Sequence, residues 1–82
     1  MRYADSKCVY VESFDPHVFT FIGSCVVTGK MQKVKVPAEE LNAYRRGLKI
    51  QDAMPSVSVD DREFLISGMS PEGWKLTFGE EE

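Results

Sequence analysis

The chain is poor in the residues that build metal and catalytic centres: among 82 residues there is one histidine, His17, and two cysteines, Cys8 and Cys25. No Cys-x-x-Cys or His-x-x-x-His pair occurs, so the three or four close-spaced ligands of a zinc site are missing and no metal or cofactor is expected. Phosphate-binding loops are missing too. Neither G-x-x-x-x-G-K-[ST] nor G-x-G-x-x-G is present, and Thr28-Gly29-Lys30 by itself reads as a hairpin turn. A cysteine nucleophile would need His17 as its base, with no evident orienting group or oxyanion site, so the expectation is that the protein is not an enzyme. Long apolar runs are lacking as well. The longest, Val18 to Val27, is broken by Thr20, Gly23 and Ser24 and is about half of a bilayer-spanning helix. The start, MRYADSKC, has no apolar segment before a small-residue cleavage site, which makes the cytoplasm the expected location and free thiols the expected state of both cysteines.

What is present describes one small domain spanning residues 1–82. At 9.3 kDa the chain has room for one core, and its 43% hydrophobic and 11% aromatic content with mean hydropathy −0.26 is that of a folding, soluble domain. The net charge of −3 is unevenly distributed. Residues 1–29 carry two basic and three acidic groups, residues 30–49 six and two, and residues 50–82 two and eight. A basic middle with an acidic end marks a polarised surface, and Gly79 to Glu82 reads as an acidic solubilising tail.

The pattern changes from strand to helix near Pro37. Lys7 to Ser13 is rich in Val and Tyr, Asp15-Pro16 supplies a turn, and Val18 to Ile22 forms a second strand. Gly23 is read as a bulge that lets this strand continue through Val27 to the turn at Thr28-Gly29-Lys30. In Lys33 to Val36 charged and apolar residues alternate, so Val34 and Val36 face a core and the lysines face water. Pro37 suits the first position of a helix over Ala38 to Arg46, with Glu39 and Glu40 at its positive end. Leu41, Tyr44 and Leu48 share a face of it, and Gly47 supplies a left-handed stop. Ile50, Ala53 and Met54 suggest a short second helix ended by Pro55, with Gln51 and Asp52 in solvent. Ser58 and Asp61 form a capping box that starts a helix supplying Phe64, Leu65 and Ile66 to the core and stopping at Gly68. The capping role also accounts for the neighbouring carboxylates Asp60 and Asp61. Residues 74–78 fit either period: Trp74, Leu76 and Phe78 alternate as in a strand, while Ser70-Pro71-Glu72 is a helix start. The fold class is therefore α+β, a three-stranded antiparallel meander (1–36) packed against short C-terminal helices (37–79), with 80–82 as the tail.

Three runs carry a family resemblance: Gly47-Leu48-Lys49-Ile50-Gln51-Asp52-Ala53-Met54-Pro55, Asp60-Asp61-Arg62-Glu63-Phe64-Leu65-Ile66-Ser67-Gly68, and Ser70-Pro71-Glu72-Gly73-Trp74. Together with the "TGK" of residues 28–30 they resemble small uncharacterised proteins of bacteriophages and prophages over residues 25–79. The resemblance implies a short helix for the last element and a phage accessory context in the host cytoplasm, with no established activity. Some of those relatives carry Cys-x-x-Cys before the tryptophan; Ser70 and Gly73 stand at those positions here, so metal binding is not implied. Cys25-Val26-Val27-Thr28 keeps knuckle-like spacing with a single thiol.

Two functional classes follow. The first is a protein that binds a host or phage protein, inhibition of a defence factor included, through Arg45, Arg46, Lys49 and Trp74, since Arg and Trp dominate interface energetics. Core packing of Trp74 on Phe78 and Phe64 is the competing role of that residue. The alternative is a nucleic-acid-associated adaptor on a degenerate zinc-ribbon-like scaffold, using Lys30, Lys33, Lys35, Arg45, Arg46 and Lys49 gathered on one face. Self-association without another ligand is the third reading.

Overall fold

The alternation through Lys33 to Val36 sets the sheet. In a computed structural model that describes residues 1–79, it lies in an edge strand whose two valines are fully buried and whose lysines are exposed. The strands are β1 (Val9–Ser13), β2 (Val18–Ser24) and β3 (Met31–Pro37), in the order β1-β2-β3 with both pairings antiparallel. The register aligns Tyr10, Phe21 and Val34 across the sheet, and beside them Glu12, Phe19 and Val36. Side chains alternate faces along a strand, so these residues share the face that packs on the helices. Val9, Val11, Ile22, Lys33 and Lys35 belong to the opposite face.

Five helices complete the described residues: α1 (Arg2–Lys7), α2 (Ala38–Arg45), α3 (Ile50–Ala53), α4 (Val59–Ser67) and α5 (Pro71–Phe78). The core joins Phe21, Val34 and Val36 of the sheet to Leu41, Met54, Val57, Phe64 and Leu65, with Met1, Ala4 and Ala53 filling between them. The three-stranded meander and the C-terminal helices are therefore as expected, and residues 71–78 are helical.

Several details differ from the sequence reading, each for a local reason. The chain opens with a helix instead of entering the sheet at Lys7. Six residues are too few to show helical periodicity, and α1 is held by packing: Met1 and Ala4 are buried, and the Tyr3 ring lies edge-on to Phe64 with centroids 5.5 Å apart. Gly23 is not a bulge but pairs in register with Gln32, and a Cβ there would lie 2.6 Å from the Cys8 sulfur. The strand ends at Ser24 because the Gly29 amide donates to the Cys25 carbonyl at 2.8 Å, folding Val26 and Val27 into the turn. Pro37 closes β3 opposite Val18 and caps α2 from outside, while the Ala38 amide donates to the His17 carbonyl at 3.0 Å.

Three apolar side chains also differ in their surroundings, the first of them through a helix end. At Gly47 (φ +115°) the Leu48 amide donates back to the Ala43 carbonyl and the Gly47 amide to that of Tyr44, so Leu48 leaves the helical face and is exposed. Ile66 is also exposed, while Phe64 and Leu65 supply the buried contacts of α4. Trp74 packs on Phe78 but not on Phe64, which faces Tyr3. The tail assignment for Glu80 to Glu82 lies outside the described residues.

Ser58 caps α4 as its sequence suggests. Its hydroxyl accepts from the Asp61 amide at 3.1 Å, whereas the reciprocal bond from the Ser58 amide to Asp61 is not formed among the described residues. Ser58→Ala is expected to lower stability by about 1 kcal/mol. A reduced urea midpoint at unchanged slope would show this, and an unchanged midpoint would remove Ser58 from the cap.

Candidate functional site

The 25–30 turn and the start of α5 meet at one sulfur. Cys25, 2% exposed, follows β2 directly and accepts hydrogen bonds from the amides of Val27 (3.4 Å), Thr28 (3.5 Å) and Ser70 (3.3 Å) and from the Ser70 hydroxyl (3.2 Å). Ser70 is also the cap of α5, its oxygen accepting from the Gly73 amide at 3.1 Å. Gly73 allows the close approach: a Cβ there would lie 2.8 Å from the Cys25 sulfur and 3.3 Å from Val27 Cβ. Outside this contact the Val26 amide donates to the Gly68 carbonyl at 2.8 Å, and Lys30 pairs with Glu72 at 3.2 Å. The cysteine thus ties the helix to the end of the sheet.

Electrostatics at the sulfur follow from these donors. Burial pushes the Cys25 thiol up, but the hydroxyl and amide of Ser70 and the donors of Thr28 outweigh it and bring its pKa down to about 6. Cys8 shifts the other way, raised by burial. The neutral donors around the sulfur thus favour the thiolate form of Cys25. Because the unfolded thiol stays protonated up to about pH 9, the unfolded chain binds more protons between pH 6 and pH 9. The stabilisation from this group is complete above that window and is lost as the pH falls through about 6. Urea midpoints of the native chain relative to Cys25→Ser should rise with pH across the window. A difference independent of pH would contradict a thiolate.

The same geometry limits the chemistry. Cys25 and His17 flank β2 at opposite ends, roughly 25 Å apart for eight strand residues, so the sulfur and imidazole do not form a nucleophile and base. His17 instead contacts Glu12 at 2.6 Å and stacks on Phe14. No group of three or more His, Cys, Asp or Glu side chains is placed to hold a metal ion among the described residues. Thr28, Ser70 and Gly73 converge on Cys25, yet the ligating groups there are one cysteine sulfur and the hydroxyls of Thr28 and Ser70.

The candidate binding residues separate into two groups. Arg45 and Arg46 end α2 and Lys49 precedes α3; all three are exposed, and Arg45 contacts Asp5 at 3.6 Å. Trp74 sits on α5, with no hydrogen bond, ion pair or ring contact joining it to the three cations. The six cations of the adaptor reading also divide: Lys33 and Lys35 lie on the sheet face away from the helices, whereas α2 packs through Leu41 on the face of Val34 and Val36. Lys30 faces Glu72.

α5 exposes large apolar side chains. Trp74 is 38% exposed and stacks on Phe78 at 4.6 Å, while Phe78 (59%) and Leu76 (66%), and Val26 (58%) of the 25–30 turn, are open to solvent. Gly73 is the only buried residue of α5. Trp74 and Phe78, four residues apart, share a helical face, and Leu76 projects from the opposite one. This two-sided exposure escaped sequence reasoning because alternation and helical spacing both treat such residues as core. No match was found for this chain among protein-family models, curated proteins or solved structures.

Proposed function

We propose that the chain is a small non-enzymatic protein-binding module that docks through α5, with Trp74 and Phe78 as its anchor. The observation that carries this reading is the helix itself: apolar on two faces, it buries only Gly73 in its own domain. Large apolar side chains left on a surface helix mark an interaction site, and a partner groove that received the Trp74 and Phe78 face of α5 would enclose them. Cys25, Ser70 and Gly73 contribute by holding the helix start in place before binding, which limits the ordering cost of association. The basic end of α2, with Arg45, Arg46 and Lys49, adds electrostatic steering toward an acidic surface. The phage resemblance supplies the partner class, a host or phage protein, with inhibition of a defence factor as one outcome of occupying its surface.

The nucleic-acid adaptor is the second reading. It is favoured by the convergence of Cys25, Thr28, Ser70 and Gly73, which is the arrangement expected of a degenerate zinc ribbon; the division of its cations between two faces weighs against it. Affinity purification from cells producing the protein, followed by binding measurements with the recovered protein and with duplex and single-stranded DNA over a salt series, separates the two. Protein binding without DNA affinity at low salt supports the module. DNA binding that weakens steeply with salt and disappears in Arg45→Glu/Arg46→Glu would replace it with the adaptor.

A further inference from the structure

The two edges of the sheet are built differently. β3 carries Lys33 and Lys35 and ends in Pro37, devices that discourage a further strand from adding. β1 has neither lysine nor proline. Its register on β2 runs without a bulge from Val9 opposite Ile22 to Ser13 opposite Val18, and its other edge meets no strand among the described residues. All of its residues are exposed, including Val9 (65%), Tyr10 (59%) and Val11 (55%). Backbone donors and acceptors alternate along such an edge, and an added strand would satisfy them.

We propose that β1 pairs antiparallel with β1 of a second copy about a two-fold axis through Tyr10, joining two three-stranded sheets into one. A two-fold axis perpendicular to the sheet maps each face onto itself, so residues opposite one another must belong to the same face. Centring on Tyr10 meets this condition and places Val9 opposite Val11 of the second copy, and Val11 opposite its Val9. These valines extend the outer-face row begun by Ile22 and Thr20, their neighbours on β2. On the other face Tyr10 already lies at 5.6 Å from Phe19 and 5.9 Å from Phe21, and the second Tyr10 continues that aromatic row. Centring on Val11 also preserves the faces but sets Val9 against Ser13 and Tyr10 against Glu12.

Charge selects the same register. Glu12 is the only charged residue of β1. With Tyr10 on the axis, the two Glu12 residues stand four positions apart along the strands, about 13 Å, beyond the screening length of about 8 Å at physiological salt. Each then opposes Cys8 of the other copy. Self-complementarity of this short segment is what identifies a second copy, rather than a foreign strand, as the occupant. The surface is separate from α5, so the dimer and the protein-binding reading stand or fall independently.

Sedimentation velocity on the purified full chain over a concentration series, together with a register-specific cross-link, tests the proposal. The native chain should sediment as a dimer that dissociates on dilution. Val9→Lys/Val11→Lys should be monomeric with an unchanged circular dichroism spectrum, because both positions are exposed. Glu12→Cys should form a covalent dimer through Cys8 of the second copy under mild oxidation, since directly opposed strand residues lie within disulfide reach; adding Cys8→Ser should abolish it. A chain that remains monomeric at every attainable concentration overturns the proposal. So does a dimer that survives the double lysine substitution, or one in which Glu12→Cys fails to cross-link.

Discussion

Gly68→Ala is expected to lower the stability of the domain by about 3 kcal/mol, combining roughly 1–2 for a left-handed residue with 1–3 for overpacking. Gly68 ends α4 at φ +82°, and a Cβ there would lie 2.7 to 2.9 Å from three atoms of the Tyr3 ring. That ring cannot simply retreat. Its hydroxyl donates to the Ser24 carbonyl and its edge packs on Phe64. A domain of this size has only a few kcal/mol of net stability, so the variant should be largely unfolded at ambient temperature. Gly47→Ala is the internal control. Gly47 is also left-handed, at φ +115°, but nothing lies within 4 Å of a Cβ added there, so only the conformational part of the effect should appear. Thermal unfolding of both variants measures the difference, which belongs to Tyr3. Equal losses would mean that Tyr3 yields freely.

The second large effect concerns binding. Trp74→Ala/Phe78→Ala should weaken partner affinity by about 30-fold or more, corresponding to the 2 kcal/mol or greater typical of an interface anchor. Stability should also fall, by roughly 0.5–1.5 kcal/mol for the stacked pair beyond the area the rings bury, yet less than for fully buried aromatics because both residues are already partly in water. Arg45→Glu/Arg46→Glu provides the contrast. Exposed charges at the rim act mainly on the association rate and its salt dependence, so this pair should slow association at low salt with a smaller change in dissociation. Titration calorimetry and stopped-flow kinetics distinguish the two patterns. Affinity unchanged in the aromatic variant, measured where that variant is fully folded, would remove α5 from the interface.

Local rules were sufficient wherever one element decides its own structure. The alternation at Lys33 to Val36 placed Val34 and Val36 inside, the Ser58 cap placed the start of α4, and Gly47 stopped α2 through its left-handed conformation. Residues 71–78 required the Ser70-Pro71-Glu72 start to prevail over a competing strand period, and Ser70 does cap α5 in the structure. What remained hidden depends on contacts between distant segments. The α1 helix exists because Met1 and Ala4 are buried and Tyr3 packs on Phe64, a relation no six-residue window contains. The sulfur of Cys25 meets Ser70 across 45 positions of chain. Its two x2-spaced turns are visible in the sequence, but their meeting is a property of the fold. Exposure is equally nonlocal: Leu48, Ile66 and Trp74 fit apolar periodicities and still reach solvent because no other element covers them fully.

Amide hydrogen exchange of the protein with and without its recovered partner locates the docking surface directly. Slowed exchange on binding should be concentrated in residues 26–28 and 72–78, the turn and helix that Cys25 joins. Protection confined to residues 44–49, with α5 exchanging at its free rate, would contradict docking through the Trp74 and Phe78 surface.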